Sequence, residues 1–360
     1  MYVNYGRIED VQRLRELNVD LTGKIAISRY GRIFRGNKVK NCQDAGAIGV
    51  IMFSDPADVA PYGTDPKDVY PNTMFLPPSG IQRGTAFPLG GGEPLSPGWP
   101  SVEGSYRNPI NDTEFPKIPS QPIGYGDAKE LLAVMGGDNV PDEWRGQIPN
   151  TTYKLGPGFD QDHQGWKVNL VVNNYLKDTK SDNIIGVIQG SEEPDRYVII
   201  GNHRDAWGYG AIDPGSGTAA LMEIAKTLGE KLKAGWRPRR TIILASWTAE
   251  ESGLFGSSEW VTEKVHKLRS RAVSYLNMDI CVSGDFLAGF ASTLLKEVFK
   301  NAMRSTEKDG QSYYDYLQAY YQSESPPKDL ADTIGALGSG SDQDSFAFFA
   351  GVPSTFHFFK

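Results

Sequence analysis

The sequence has only two cysteines, Cys42 and Cys281, in 360 residues. The fold therefore does not rest on disulfides, and a small cross-linked scaffold is excluded. No run approaches the roughly 18 to 20 apolar residues that cross a bilayer, and the start, MYVNYGRIEDVQRLRELNVD, has neither the apolar stretch nor the cleavage site of a secretory leader. Excess positive charge is lacking too: 37 basic residues stand against 44 acidic ones, interspersed, for a net charge of −7. That balance speaks against nucleic acid as a partner. There is no internal repeat and no low-complexity tract. Also missing are the HExxH helix of one type of zinc protease and the GxSxG elbow of serine hydrolases.

What is present is enough apolar sequence, 39% hydrophobic against 22% charged, to bury a substantial core in one large or two medium domains. From about Pro56 to Pro122 the chain is crowded with Gly and Pro, whereas after about Lys177 short apolar runs alternate with helical segments. The shift predicts two domains, residues 1–176 and 177–360. In the first, GKIAISRYG reads as a strand, NKVKNCQDAGAIG as a helix and VIMFSDP as a second strand, followed by the loop-rich tract; a β-rich lid or recognition module fits. In the second, NIIGVIQG, RYVIIGN, TIILASW and AVSYLNM are β-branched strands, with helices over about Gly217 to Lys233 and Gly256 to Leu268. The alternation predicts an α/β fold with a parallel or mixed sheet packed on both faces. Two glycosylation sequons, Asn111-Asp-Thr and Asn150-Thr-Thr, are patterns short enough to arise by chance.

In such a sheet ligands bind beyond the carboxyl ends of the strands. There this sequence places His203-Arg204-Asp205 and Asp213-Pro214 after RYVIIGN, Glu250-Glu251 after TIILASW, and Asp279 after AVSYLNM. Each has an ordinary structural reading: a satisfied histidine, a capping aspartate, carboxylates favouring a helix dipole, an acid in a turn. Together they concentrate negative charge at a buried edge, which is costly without a cation. One imidazole among several carboxylates suits zinc in a hydrolytic site, whereas calcium or magnesium takes oxygen ligands.

These residues carry a resemblance. YVNYGRIEDV, RYGRIFRGNKVKN, SDPAD, the tract ending WRG, LGPGF, EPDRYVIIGNHRDAW, AIDPGSG, GWRPRRTIILASWTAEESGLFGSSEW and LGSGSD resemble the glutamate carboxypeptidase II (N-acetylated alpha-linked acidic dipeptidase) family of co-catalytic zinc peptidases, relatives of the transferrin receptors, over nearly the whole chain. The resemblance implies a protease-associated lid and an aminopeptidase-like zinc-peptidase sheet between helices, on either side of the boundary already drawn. It implies two zinc ions, with His203 and Asp279 on one, Glu251 on the other and Asp213 bridging. Glu250 matches the general base, which takes the proton of a metal-held water and passes it to the leaving amine. Asp205 is placed to orient the His203 imidazole. Arg7 matches an arginine for the substrate's terminal carboxylate, a task suited to a guanidinium.

The departures bear on substrate and metal count. The family's fifth ligand is a histidine beyond this chain's last residue, and His357, within an apolar strand, does not take its place. By the same alignment this is an internal stretch of a longer, membrane-anchored ectoenzyme on the extracellular face, dimeric through a later helical domain, and residues 1–360 alone hold at most one zinc firmly. The arginines that meet an acidic substrate residue fall on Gly289, Phe356 and Phe358, while Ser341 and Phe75 stand where pocket amides are expected. A calcium site is half matched, with Glu259 present and Thr262 in place of a second acid. The expected function is a zinc exopeptidase of carboxypeptidase or dipeptidase type acting on small peptides. The alternatives are an aminopeptidase or dipeptidyl-peptidase, or a binding protein that has lost its metals.

Overall fold

The computed structural model describes residues 1–359 apart from 89, 285, 324, 325, 327–329 and 331–333. Two compact units emerge, Met1–Leu89 with Ile110–Asp178, and Gly90–Pro109 with Thr179–Lys360. The segment 90–109, which composition groups with the first domain, packs with the second unit. There the Glu259 carboxylate accepts hydrogen bonds from Glu93 N at 2.8 Å and Ser101 N at 2.6 Å, and Gly92 N donates to Gly253 O at 3.1 Å. A composition shift marks a loop, but not the core that the loop joins.

The first unit contains α1 (Ile8–Glu16), β1 (Ile25–Arg29), α2 (Arg35–Asp44), β2 (Gly49–Phe53), the short α3 (Pro56–Val59), β3 (Ser120–Ile123) and α4 (Tyr125–Ala133). Its three strands pair in parallel in the order β1-β2-β3. The central strand GVIMF is buried throughout, which explains why it reads as a continuous apolar run. In α1, Glu9 and Asp10 occupy the first turn and Arg13 and Arg15 the last, complementing the helix dipole, while Val11 and Leu14 face inward at i, i+3. Cys42, in this unit, and Cys281, in the other, are both free buried thiols.

The second unit contains β4 (Ile184–Ile188), β5 (Glu193–His203), α5 (Gly215–Lys233), β6 (Arg240–Trp247), α6 (Phe255–Arg271), β7 (Ala272–Asn277), β8 (Leu287–Ala291) and α7 (Thr293–Arg304). The two-residue strands β9 (Glu307–Lys308) and β10 (Gln311–Ser312) follow, then α8 (Tyr313–Ser323), β11 (Ile334–Ala336) and β12 (Ser354–Phe359). Seven strands form one sheet in the order β11-β8-β12-β7-β5-β6-β4. β6, β5 and β7 are parallel, with Ala245, Gly201 and Asn277 in register, so their carboxyl ends meet at one edge. β4 runs antiparallel to β6 and β12 antiparallel to β8, which makes the sheet mixed. On one face Ile199, Ile243, Ala245, Trp247 and Tyr275 pack with Val261 and Leu268 of α6 and with Phe346.

α5 enters against the end of β7 with no room for a side chain. A Cβ at Gly217 would lie 2.0 Å from Asp279 O and 2.1 Å from Met278 O. Gly217→Ala should therefore destabilise the unit by about 1–3 kcal/mol through overpacking against backbone. Thermal melting checks this, and an unchanged midpoint would contradict the packing.

Candidate metal centre

His203 is the last residue of β5 and is enclosed. Its Nδ1 donates to the carbonyl of Asp205 at 3.0 Å, which fixes the ring and turns Nε2 toward the acids. Nε2 lies 2.9 Å from Asp279 Oδ1, 3.3 Å from Asp213 Oδ1 and 3.9 Å from Glu250 Oε2. His203, Glu250 and Asp279 offer ligand atoms that all lie within 4.8 Å of one another. Asp213 reaches this group from the turn before α5. Glu251, expected as a ligand, falls outside it, and Glu250, expected as the base, falls within.

Asp205 does more than the sequence implies. The expected contact between its carboxylate and the imidazole is long, 3.7 Å, and the backbone carbonyl makes the bond instead. The carboxylate accepts from Glu250 N at 3.0 Å and Glu251 N at 3.1 Å, so it ties the loop after β6 to the end of β5. Burial pushes its pKa up, but His203 and these two N–H groups hold it below the usual carboxylate range. Within the same loop Ala249 is held in the left-handed region at φ 54.

The electrostatics are those of a site short of positive charge. Burial raises the pKa of Glu250, and the charge of Asp342 adds to it. Burial also raises Asp342 and, with Asp213 beside it, Glu251. Burial opposes a charged His203, but the carboxylates of Asp205, Asp213 and Asp279 outweigh it and raise its pKa. One imidazolium cannot neutralise so many acids. Asp213 Oδ1 and both carboxylate oxygens of Asp342 are inaccessible and make no hydrogen bond among the described residues; the Ser257 hydroxyl, close enough to lower the Asp342 pKa, donates to Leu254 O. A nitrogen and oxygen donor set around orphaned buried carboxylates fits zinc.

Asp342 is the site residue that sequence reading missed. It is 0% exposed, and the only signal was its place in LGSGSD. Its neighbour Ser341, read as a substrate contact, is also 0% exposed: its hydroxyl donates to Asp279 Oδ2 at 2.5 Å and accepts from Asn277 Nδ2 at 2.9 Å. It therefore supports Asp279, with no surface left for a substrate. Arg7, in the first unit, already uses its fork on Asp10, with Nε and Nη2 at 3.0 and 2.9 Å, and pairs with Glu9 through Nη1 at 2.9 Å. Phe75, in the same unit, packs edge-on against Tyr62 at 5.1 Å.

Phe356 and Phe358 share one face of β12, with ring centroids 5.6 Å apart. Gly289 pairs with His357 on the other face, and it is Phe290, opposite Phe356, that joins the two rings at 6.4 and 6.2 Å. His357 faces Phe299 at 6.0 Å. Both oxygens of Glu259 accept backbone N–H groups, and the carboxylate beside it is that of Glu93 rather than one at position 262, which is a threonine.

Residues 183–358 match the profile of peptidase family M28, and residues 2–89 that of the PA domain. Residues 183–358 belong to peptidase family M28. The chain is 43% identical over 363 residues to aminopeptidase NAALADL1 of Rattus norvegicus, covering 98% of this chain and 48% of that protein. To a glutamate carboxypeptidase 2 homolog of Caenorhabditis briggsae it is 42% identical over 369 residues, covering 98% of this chain and 47% of the relative. The chain thus spans about half the length of these curated relatives. Among solved structures, the aminopeptidase from Aneurinibacillus sp. strain AM-1 matches with a TM-score of 0.51 at 19% identity, over 100% of this chain and 65% of that one, a likeness of fold. No helix among the described residues is long and apolar enough to cross a membrane.

Proposed function

We propose that this chain carries the catalytic centre of a zinc-dependent exopeptidase of carboxypeptidase or dipeptidase type. The observation that supports it most is the convergence of His203, Asp213, Glu250 and Asp279 at the shared end of three parallel strands, with buried carboxylate oxygens left unpartnered. His203 Nε2, Asp279, Asp213 and Glu251 are the residues that would hold zinc. Zinc, when bound, supplies Lewis acidity that polarises the scissile carbonyl and eases deprotonation of water. Glu250 takes the proton of the attacking water on its carboxylate and returns it to the leaving amine. Asp205, through its two backbone contacts, holds Glu250 and Glu251 in place. The aminopeptidase reading stands second, favoured by the name of the rat relative.

The aromatic face of Phe290, Phe356 and Phe358 supports a preference for apolar residues upstream of the scissile bond. Phe290 is 40% exposed, and the three aromatic side chains themselves bring no positive charge to a substrate carboxylate. Burying a charge there costs about 1–3 kcal/mol or more, whereas apolar contact gains about 25 cal/mol per Å². N-acetyl-Asp-Glu should therefore be cleaved about ten- to a few hundred-fold more slowly than the Leu or Phe analogue. Faster cleavage of the acidic dipeptide would overturn this specificity, and release of the free N-terminal residue from unblocked peptides alone would favour the aminopeptidase.

A further inference from the structure

We propose that Trp247, Tyr275, Asn277 and Ser341 form a hydrogen-bonded relay that positions Asp279 as a metal ligand and selects which of its oxygens faces the ion. The inference rests on the zinc reading above and concerns residues that the reading does not use. Trp247 Nε1 donates to Tyr275 Oη at 2.9 Å, and Tyr275 Oη donates to Asn277 Oδ1 at 2.8 Å. Asn277 Nδ2 donates to Ser341 Oγ at 2.9 Å, and Ser341 Oγ donates to Asp279 Oδ2 at 2.5 Å. Every donor in this series points toward the carboxylate, and the four relay residues are each 0% exposed. The second proton of the Asn277 amide goes to Gln343 Oε1 at 3.0 Å, and Gln343 Nε2 donates to Gly338 O at 3.0 Å, so the amide has one satisfied orientation.

Two features tie the relay to this fold. Gly201, in β5 between β6 and β7, has no side chain where the indole and phenol meet: a Cβ there would lie 2.4 Å from Tyr275 Oη and 2.5 Å from Trp247 Nε1. Tyr275 is also stacked on Phe346 at 3.9 Å with an interplanar angle of 3°, which fixes its hydroxyl. The relay ends on Oδ2 and leaves Oδ1, the oxygen 2.9 Å from His203 Nε2, as the one turned to the metal side. A carboxylate held this way enters a metal site with its rotation already restricted, and such supporting contacts are worth about 10- to 100-fold in metal affinity.

The test measures zinc affinity by competition with a chromogenic chelator, together with the cobalt(II) absorption spectrum, for the intact protein and three variants. Ser341→Ala should weaken zinc about 10- to 100-fold and change the cobalt spectrum. Tyr275→Phe keeps the ring stack and removes one hydroxyl two links further away, and should weaken zinc about 2- to 10-fold. Leu268→Ala, in the same core but outside the relay, should lower the melting temperature and leave zinc affinity unchanged. Wild-type affinity and spectrum in Ser341→Ala, or an equal loss in Leu268→Ala, would overturn the relay while leaving the zinc site intact. Failure of the unaltered protein to bind zinc, or binding indifferent to His203→Ala, would instead remove the reading on which the relay rests.

Discussion

Glu250→Gln in the zinc-loaded protein should lower kcat/KM by about 10²- to 10⁴-fold and leave the zinc content unchanged. The substitution isolates the proton acceptor unusually well. Glu250 is held through its backbone, with N on Asp205 at 3.0 Å and O accepting from Gly253 N and Leu254 N, and no hydrogen bond among the described residues uses its carboxylate. An amide of the same shape therefore keeps the loop and loses only the proton site. Stability should rise slightly if it changes at all, since a buried carboxylate whose pKa is raised by burial and by Asp342 is itself a cost. Steady-state kinetics beside metal analysis separate the outcomes. A near-normal rate with zinc bound would assign the base elsewhere, and loss of zinc would make Glu250 a ligand, as its place in the tight group with His203 and Asp279 allows.

Asp213→Asn should lose both metal and activity. Asp213 Oδ1 lies 3.3 Å from His203 Nε2, is inaccessible and makes no hydrogen bond among the described residues, so beyond its pairing with His203 its charge is left to face a cation. Removing one unit charge at about 4 Å under an effective dielectric near 20 costs roughly 4 kcal/mol against each positive charge, or about 10³-fold or more in affinity. Melting in a chelator should be affected far less than melting in zinc, because zinc stabilises only a protein that binds it. Equal zinc protection of wild type and Asp213→Asn would show that Asp213 is not a ligand.

The sheet and the gathering of these side chains at its edge were legible from sequence for one reason. RYVIIGN, TIILASW and AVSYLNM are β-branched runs too short for helices, and in parallel strands the next residues must share an edge, which gathers His203, Glu250 and Asp279 before any coordinates are known. What sequence did not show depends on burial and register. Ser341 reads as a pocket residue because the resemblance sets it where a pocket amide is expected, yet here it is enclosed and bonded to Asp279. Gly289 and Phe290 differ by one position, and in a strand one position changes the face, so the aromatic cluster acquires Phe290. Glu93 and Ser101 sit in a Pro- and Gly-rich tract whose composition says nothing about Glu259, more than a hundred residues away, to which they bond. The left-handed backbone of Ala249, ahead of Glu250, has no sequence signal, since an alanine does not announce a positive φ.

Anomalous diffraction at the zinc edge from crystals of the zinc-loaded protein tests the central claim most directly. The expected result is an anomalous peak bonded to His203 Nε2 and to Asp279 and Asp213, with Ser341 still donating to the Asp279 oxygen turned away from it. A fully loaded crystal with no peak at the shared end of β5, β6 and β7, or with its zinc held by other residues, would contradict it.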